Sequence, residues 1–179
     1  MSRTAFRLAA CLALLSTSQL QAAPAATAPV RPCMTPAELR GMVAYVMPSV
    51  MATVIDRCEP ALPAKASLLT HGAQLVSAFE RGRTANFPLA RQAFAKFSET
   101  GDKNTKAIML AMPEAVLRPI LDDIVTKDLT GSVKVKDCPN IDRIFTTLEP
   151  LPASNFIDLV TQVMTIAAPN DKRMSICAS

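Results

Sequence analysis

Apolar residues recur at steps of three and four along most of this chain, and each run is bounded by residues that start or stop helices. The first run is Leu39, Val43, Val46, Val50 and Val54. Thr35-Pro36-Ala37-Glu38 precedes it. Thr35 suits a cap, Pro36 the first helical position, and Glu38 the acidic place of a capping box. Pro48 removes a backbone bond but leaves the stripe in phase, so a kink rather than a stop is expected there. The helix ends around Cys58, with Pro60 just beyond.

A second helix is predicted from Pro63 to Arg81, with Leu68, Leu69, Leu75, Val76 and Phe79 inward and Gly82 as its stop. Asn86 is read as the cap of a third, in which Phe87, Ala90, Phe94 and Phe97 recur before Gly101. Lys103 to Met112 makes a short fourth helix, and Pro113-Glu114 opens a fifth that ends near Leu129, before Gly131. Val133-Lys134-Val135-Lys136 alternates like a strand but has no partner, and reads as an extended connector. Cys138-Pro139 opens a sixth helix bearing Ile141, Ile144, Phe145 and Leu148, which Glu149-Pro150-Leu151-Pro152 must stop. Ser154 caps a seventh through Ala167, with Phe156, Leu159, Val160 and Val163 expected to face inward. These patterns predict an all-α fold, a compact single domain of about six to seven short helices with a proline kink in the first. No repeat of fixed period is present.

The N-terminus follows a different rule. Arg3 and Arg7 stand before the apolar run Leu8 to Leu15, a polar stretch follows, and the small residues Ala22, Ala23 and Ala25 come next. This is the layout of a cleavable secretory signal peptide, assigned to residues 1–22 with cleavage after Ala22 rather than Ala25. The apolar run is far shorter than the roughly 20 residues a spanning helix needs. Leu8-Ala9-Ala10-Cys11 spells a lipobox, but Arg7 stands where its apolar region belongs. Residues 23–32 read as a flexible Ala/Pro-rich leader, and residues 33–179 as the helical domain.

Export changes how charge and cysteine are read. The whole chain carries +4, and the signal peptide takes two basic residues and no acid with it, leaving +2. That near balance offers no footprint for nucleic acid. Cys11 leaves with the signal, and Cys33, Cys58, Cys138 and Cys177 remain as an even set for two disulfides. Zinc is disfavoured, since no Cys-x-x-Cys pair is present. The sixth and seventh helices are expected to pair antiparallel and return the tail towards Cys138, which favours Cys138–Cys177. Cys33 and Cys58 flank a helix about 34 Å long and cannot join each other without a hairpin at Pro48. The alternative joins both of them to Cys138 and Cys177.

Candidate chemistry is sparse. The single histidine, His71, sits mid-helix, and no Gly-x-Ser-x-Gly accompanies it. For an enzyme, His71 with Glu80 or Asp56 is the first place to look. Asp122 and Asp123 diverge by about 100° on a helix, so with Asp128 they read as a solvated face, Lys127 pairing with Asp123. Met34, Met42, Met47, Met51, Met109, Met112, Met164 and Met174 read as core filler first, then as an apolar binding surface, with copper last. Lys103, Lys106 and Arg81-Gly82-Arg83 are explained by helix dipoles and solubility. No catalytic, cofactor or metal site is assigned. The expectation is an exported, periplasmic or secreted bacterial protein without enzymatic activity that binds a protein partner or envelope component, with no transmembrane anchor after cleavage. A carrier of a lipid-like apolar ligand between helices is the alternative; an enzyme of unrecognised type comes third.

Overall fold

Thr35 starts the first helix by the expected chemistry: its hydroxyl accepts from the Glu38 amide at 3.2 Å, and the Glu38 carboxylate accepts from the Thr35 amide at 2.7 Å. The computed structural model describes residues 33–98, 103–167 and 175–177; the expected signal peptide, leader, stop at Gly101 and Met174 lie outside them. Helix α1 spans Pro36–Cys58 and runs unbroken through Pro48. Its buried residues include Leu39, Met42, Val43, Ala44, Tyr45, Met47, Pro48 and Met51, which leaves little of its circumference polar. A helix apolar all round must be wrapped by others. With the turn that follows, Pro36–Ala61 is long and apolar enough to cross a membrane by length and composition, and 56% of its most apolar stretch is buried within the domain.

Helix α2 spans Ser67–Ser98 and supplies the largest part of that wrapping. It lies antiparallel to α1. Lys96 reaches the capping Glu38 at 2.7 and 2.8 Å, Leu89 sits on Gly41, and Ile55 sits on Gly72. Burial alone would raise the Glu38 pKa, but the bonds from Lys96 and Thr35 outweigh it and hold the carboxylate below its ordinary value. The expected break at Gly82 and cap at Asn86 are corrected: one long helix replaces two. Gly82 takes no left-handed conformation, and the Asn86 amide donates back to the Gly82 carbonyl at 2.8 Å from inside the helix. Leu75, Phe79, Arg83, Phe87, Ala90 and Phe94 keep one phase straight through the supposed gap, so packing holds the helix together across Gly82 and Pro88.

Two cores form on this pair. The larger gathers Met34, Leu39, Met42, Val43, Met47 and Met51 with Leu68, Phe79, Phe145, Phe156 and Ile157. The smaller joins Tyr45, Phe87 and Ala90 to Leu117 and Leu121. Helices α3 (Lys103–Ala111) and α4 (Glu114–Ser132) build the second. Arg91 of α2 closes the C-terminal end of α3, donating to the carbonyls of Met109 at 3.0 Å and Met112 at 2.8 Å, and to that of Leu110. A guanidinium there meets both the unpaired carbonyls and the negative end of the helix dipole.

A short turn at Val135–Asp137 leads into α5 (Cys138–Leu148), and Pro150 and Pro152 separate it from α6 (Ala153–Ala167). Asp142 of α5 accepts from the Leu68 amide at 2.8 Å and so caps the start of α2. The expected antiparallel pairing of these last two helices is corrected, since α5 packs mainly on α2 and α6 mainly on α1. Asp158 reaches Arg40 at 2.6 Å, and Ile176 makes a parallel bridge with Met34, so the chain after α5 travels towards the start of α1. The favoured Cys138–Cys177 bond is corrected with it. The disulfides are Cys58–Cys138 and Cys33–Cys177, at opposite ends of α1, with Cα separations of 5.4 and 5.0 Å. Cys177 lies one helix length from Cys138. Among the described residues the fold is therefore all-α, a single compact domain of six helices with two disulfides, which hint at an oxidising compartment outside the cytoplasm.

Glycine substitutions test the helix pairing. A Cβ on Gly41 would stand 2.4 Å from Leu89 Cβ, a part of the side chain that cannot swing away, whereas Gly131 has nothing within 4 Å. Gly41→Ala is expected to lower stability by roughly 1–2 kcal/mol despite its gain in helix propensity. Gly131→Ala is expected to raise it by up to about 1 kcal/mol. Chemical denaturation of both variants is the measurement, and an undiminished Gly41→Ala protein would contradict the close approach. The disulfides should also differ in reactivity. Cys58 and Cys138 are 0% exposed, while Cys33 and Cys177 are only partly buried. Under mild reductant, thiol labelling should appear at Cys33 and Cys177 before Cys58 and Cys138; the reverse order would refute the burial.

Candidate functional site

The N-terminal half of α2 and the α5–α6 turn enclose a solvent-facing groove of about 410 Å³. Helical spacing puts His71, Gln74, Ala78 and Arg81 along one edge, with Leu75 beside them. Phe145, Leu151, Pro152 and Ala153 form the opposite wall, and Glu149 closes one end. Glu149 is where it is because Pro150 ends the helix directly after it. From there its Oε1 lies 2.9 Å from His71 Nδ1, and its Oε2 accepts from the Ser67 hydroxyl at 2.5 Å. The acid brought to His71 is thus Glu149, not Glu80 or Asp56; Glu80 pairs with Arg83 at 3.1 Å, and Asp56 is exposed.

Ser67, His71 and Glu149 have the composition of a catalytic triad but a different geometry. In a triad the serine and the acid engage opposite ring nitrogens, so that the imidazole can take the hydroxyl proton. Here both approach Nδ1, with Ser67 Oγ at 3.4 Å, and the hydroxyl proton points at Glu149. The trio ties the start of α2 to the end of α5.

A second polar constellation lies at the smaller core. Arg83 stacks 4.7 Å from the Tyr45 ring centre, pairs with Asp122, and donates to Ser49 at 3.1 Å. The Tyr45 hydroxyl donates to the same Asp122 at 3.2 Å. Asp122 and Arg83 therefore depart from their expected roles as solvated face and solubility charge: both turn inward and join α1, α2 and α4. Asp123 pairs with Lys127 at 2.6 Å as expected, and the two neighbours do not converge. Arg118 repeats the motif, stacking 4.6 Å from the Phe87 ring and pairing with Glu114. The overlooked signal was phase, because Arg83 occupies a place in the apolar stripe of α2, where a cation needs a buried partner.

Met34, Met42, Met47 and Met51 are buried in the larger core, Met164 packs against it, and Met109 and Met112 pack against the smaller one. That is the filler role. Among the described residues no group of three or more His, Cys, Asp or Glu side chains is gathered to hold a metal ion.

The outer surface carries what the sequence placed inside. Leu159 and Val163 were expected inward on α6, yet they are 40% and 58% exposed, and Ile166 is 76% exposed. The inward positions are Phe156, Ile157, Val160, Thr161 and Met164. On α4, Leu117 and Leu121 are buried, while Val116, Ile120 and Ile124 form a neighbouring exposed row. Both helices thus carry two apolar rows, of which only one is covered.

No protein-family model matches the chain, and no curated protein or solved structure is significantly similar to it.

Tyr45 gives a direct optical test of the inner constellation, because it is the only tyrosine and tryptophan is absent. Burial first, then the charge of Asp122, push its pKa up to about 12, against the opposing pull of Arg83. Phenolate absorbance of the folded protein should titrate near that value, and near about 10 once unfolded. Since the folded value is the higher one, stability should be intact below about pH 10 and decline as pH rises towards 12. Asp122→Asn should lower the native midpoint. A native midpoint near 10 would contradict the buried hydroxyl.

Proposed function

We propose that this is an exported, non-enzymatic protein that binds a protein partner or envelope component through the uncovered apolar rows of α4 and α6. The observation that carries this reading is the double apolar character of those helices. Val116, Ile120 and Ile124 stand 49%, 42% and 56% exposed one residue out of phase with a covered row, and Leu159, Val163 and Ile166 repeat the pattern. Scattered apolar residues on a surface need no explanation, but ordered rows along a helix are the usual form of a recognition face. Export is supported by the signal-peptide layout of residues 1–22 and agrees with the disulfides, and the proposed destination is a bacterial periplasm or the cell exterior. The carrier reading ranks behind it, since the groove beside α2 opens to solvent and holds His71, Arg81 and Glu149.

Photo-crosslinking residues placed singly at Ile120 and Val163, in the native host, test the proposal. A discrete partner is expected at one or both positions and not at exposed Lys136, and Val116→Lys beside Ile120 or Leu159→Lys beside Val163 should abolish the corresponding product. Crosslinking no stronger than at Lys136 would sink this reading. Native mass spectrometry of the recovered protein covers the carrier: a small-molecule mass lost on denaturation would put it first.

A further inference from the structure

The groove between α2 and the α5–α6 turn has an unused side to its chemistry. Glu149 is engaged at one end of it, its two oxygens held by Ser67 and His71. Arg81 at the far end is exposed and makes no ion pair with the described residues. Between these ends the lining is Leu75, Ala78, Phe145 and Leu151, with the amide of Gln74 as the remaining polar group. The lining therefore offers a cation, an apolar floor and one group able both to donate and to accept.

Spacing narrows the class of ligand. Gln74 and Arg81 are seven residues apart on one face of α2, which places them about 10 Å apart along the axis. An extended peptide covers that distance in about three residues at 3.3 Å each. We infer that this groove recognises the free C-terminal carboxylate of an extended, apolar peptide end, with Arg81 paired to the carboxylate, Gln74 bonded to a peptide group upstream, and the intervening side chains packed on Leu75, Ala78, Phe145 and Leu151. A guanidinium matches a carboxylate with two parallel hydrogen bonds, and a carboxamide complements a peptide group on both sides. The groove volume falls within the range of small-ligand sites. These side chains are separate from the apolar rows on α4 and α6, so the inference does not depend on them.

The test uses the oxidised protein and three probes: the tripeptide Ala-Leu-Leu as free acid, the same tripeptide as C-terminal amide, and hexanoate. NMR should show the free acid shifting the amide signals of Gln74, Leu75, Ala78 and Leu151, with the amide form binding at least about tenfold more weakly, as the loss of a charge-assisted contact implies. Arg81→Gln should weaken the free acid by a similar factor, while Lys127→Gln on α4, which contributes nothing to the groove, should not. Arg81 is exposed, so the variant is expected to fold, and its spectrum reports that directly. Tighter binding of the tripeptide than of hexanoate supports a chain end as the source. Hexanoate binding equally well through Arg81 would overturn the peptide and leave a free organic acid. Equal affinity for acid and amide, no effect of Arg81→Gln, or no shifts at these residues with millimolar probe would overturn the site.

Discussion

The contact of Gly41 with Leu89 governs much of the rest. Because Gly41 has no side chain, α2 can settle directly on α1 near its start, and Ile55 over Gly72 repeats the approach towards the other end. Close approach at two places holds the pair antiparallel over most of the length of α1. The apolar side chains of α1 are then divided between its other neighbours: α5 and α6 at the larger core, α4 at the smaller. Pro48 is compatible with this arrangement because it is buried against neighbours that support the helix on both sides of the missing bond.

The disulfides then act at the two ends of the same helix. Cys58–Cys138 joins the end of α1 to the start of α5, and Cys33–Cys177 joins the entry of α1 to the chain after α6, beside the Met34–Ile176 bridge. They close loops of 80 and 144 residues. In the chain-entropy account, restraints of that length each remove on the order of 4–5 kcal/mol of freedom from the unfolded state, although nested loops do not add fully. Such restraint suits a chain whose large aromatic side chains are few: one tyrosine, seven phenylalanines and no tryptophan in the whole sequence. Helix ends are tied by side chains from elsewhere in the fold, with Asp142 on α2 and Arg91 on α3.

What could be read in advance follows the range of the interaction. The capping box of α1 is set by residues three apart, so Thr35 and Glu38 were legible, as were the helical class and the even set of cysteines. The continuity of α2 was not, because Gly82 and Asn86 carry local stop signals that packing overrides. The unbroken phase from Leu75 to Phe94 was present, but Arg83 disguised it. Disulfide pairing depends on where α6 points after the Pro150–Pro152 turn, and nothing local to that turn distinguishes folding back on α5 from running along α1. The face of α6 was misjudged for a similar reason. Phe156, Leu159, Val160 and Val163 are all apolar, and periodicity cannot choose between two adjacent apolar rows. Ser67, Glu149, Gln74 and Arg81 carry no motif, and only the fold brings them to one groove.

How the polar side chains are used bears on function. Lys96, Arg83, Arg91, Asp122, Asp142, Glu38, Glu149, Ser67 and His71 are each engaged within the domain, most of them at a helix end or between helices. Groups engaged in this way hold the architecture and are costly to divert, since breaking them leaves a buried charge or an uncapped helix. Among the described residues, the apolar rows on α4 and α6 and the cation of Arg81 are turned outward. The proposed binding role draws on that pattern: polar groups engaged within the domain, and apolar rows turned outward where a partner surface is proposed to lie. The two places where binding is proposed differ in kind: long flat rows suit a helix or sheet laid against them, while the short groove, with its charge at one end, suits the end of a chain.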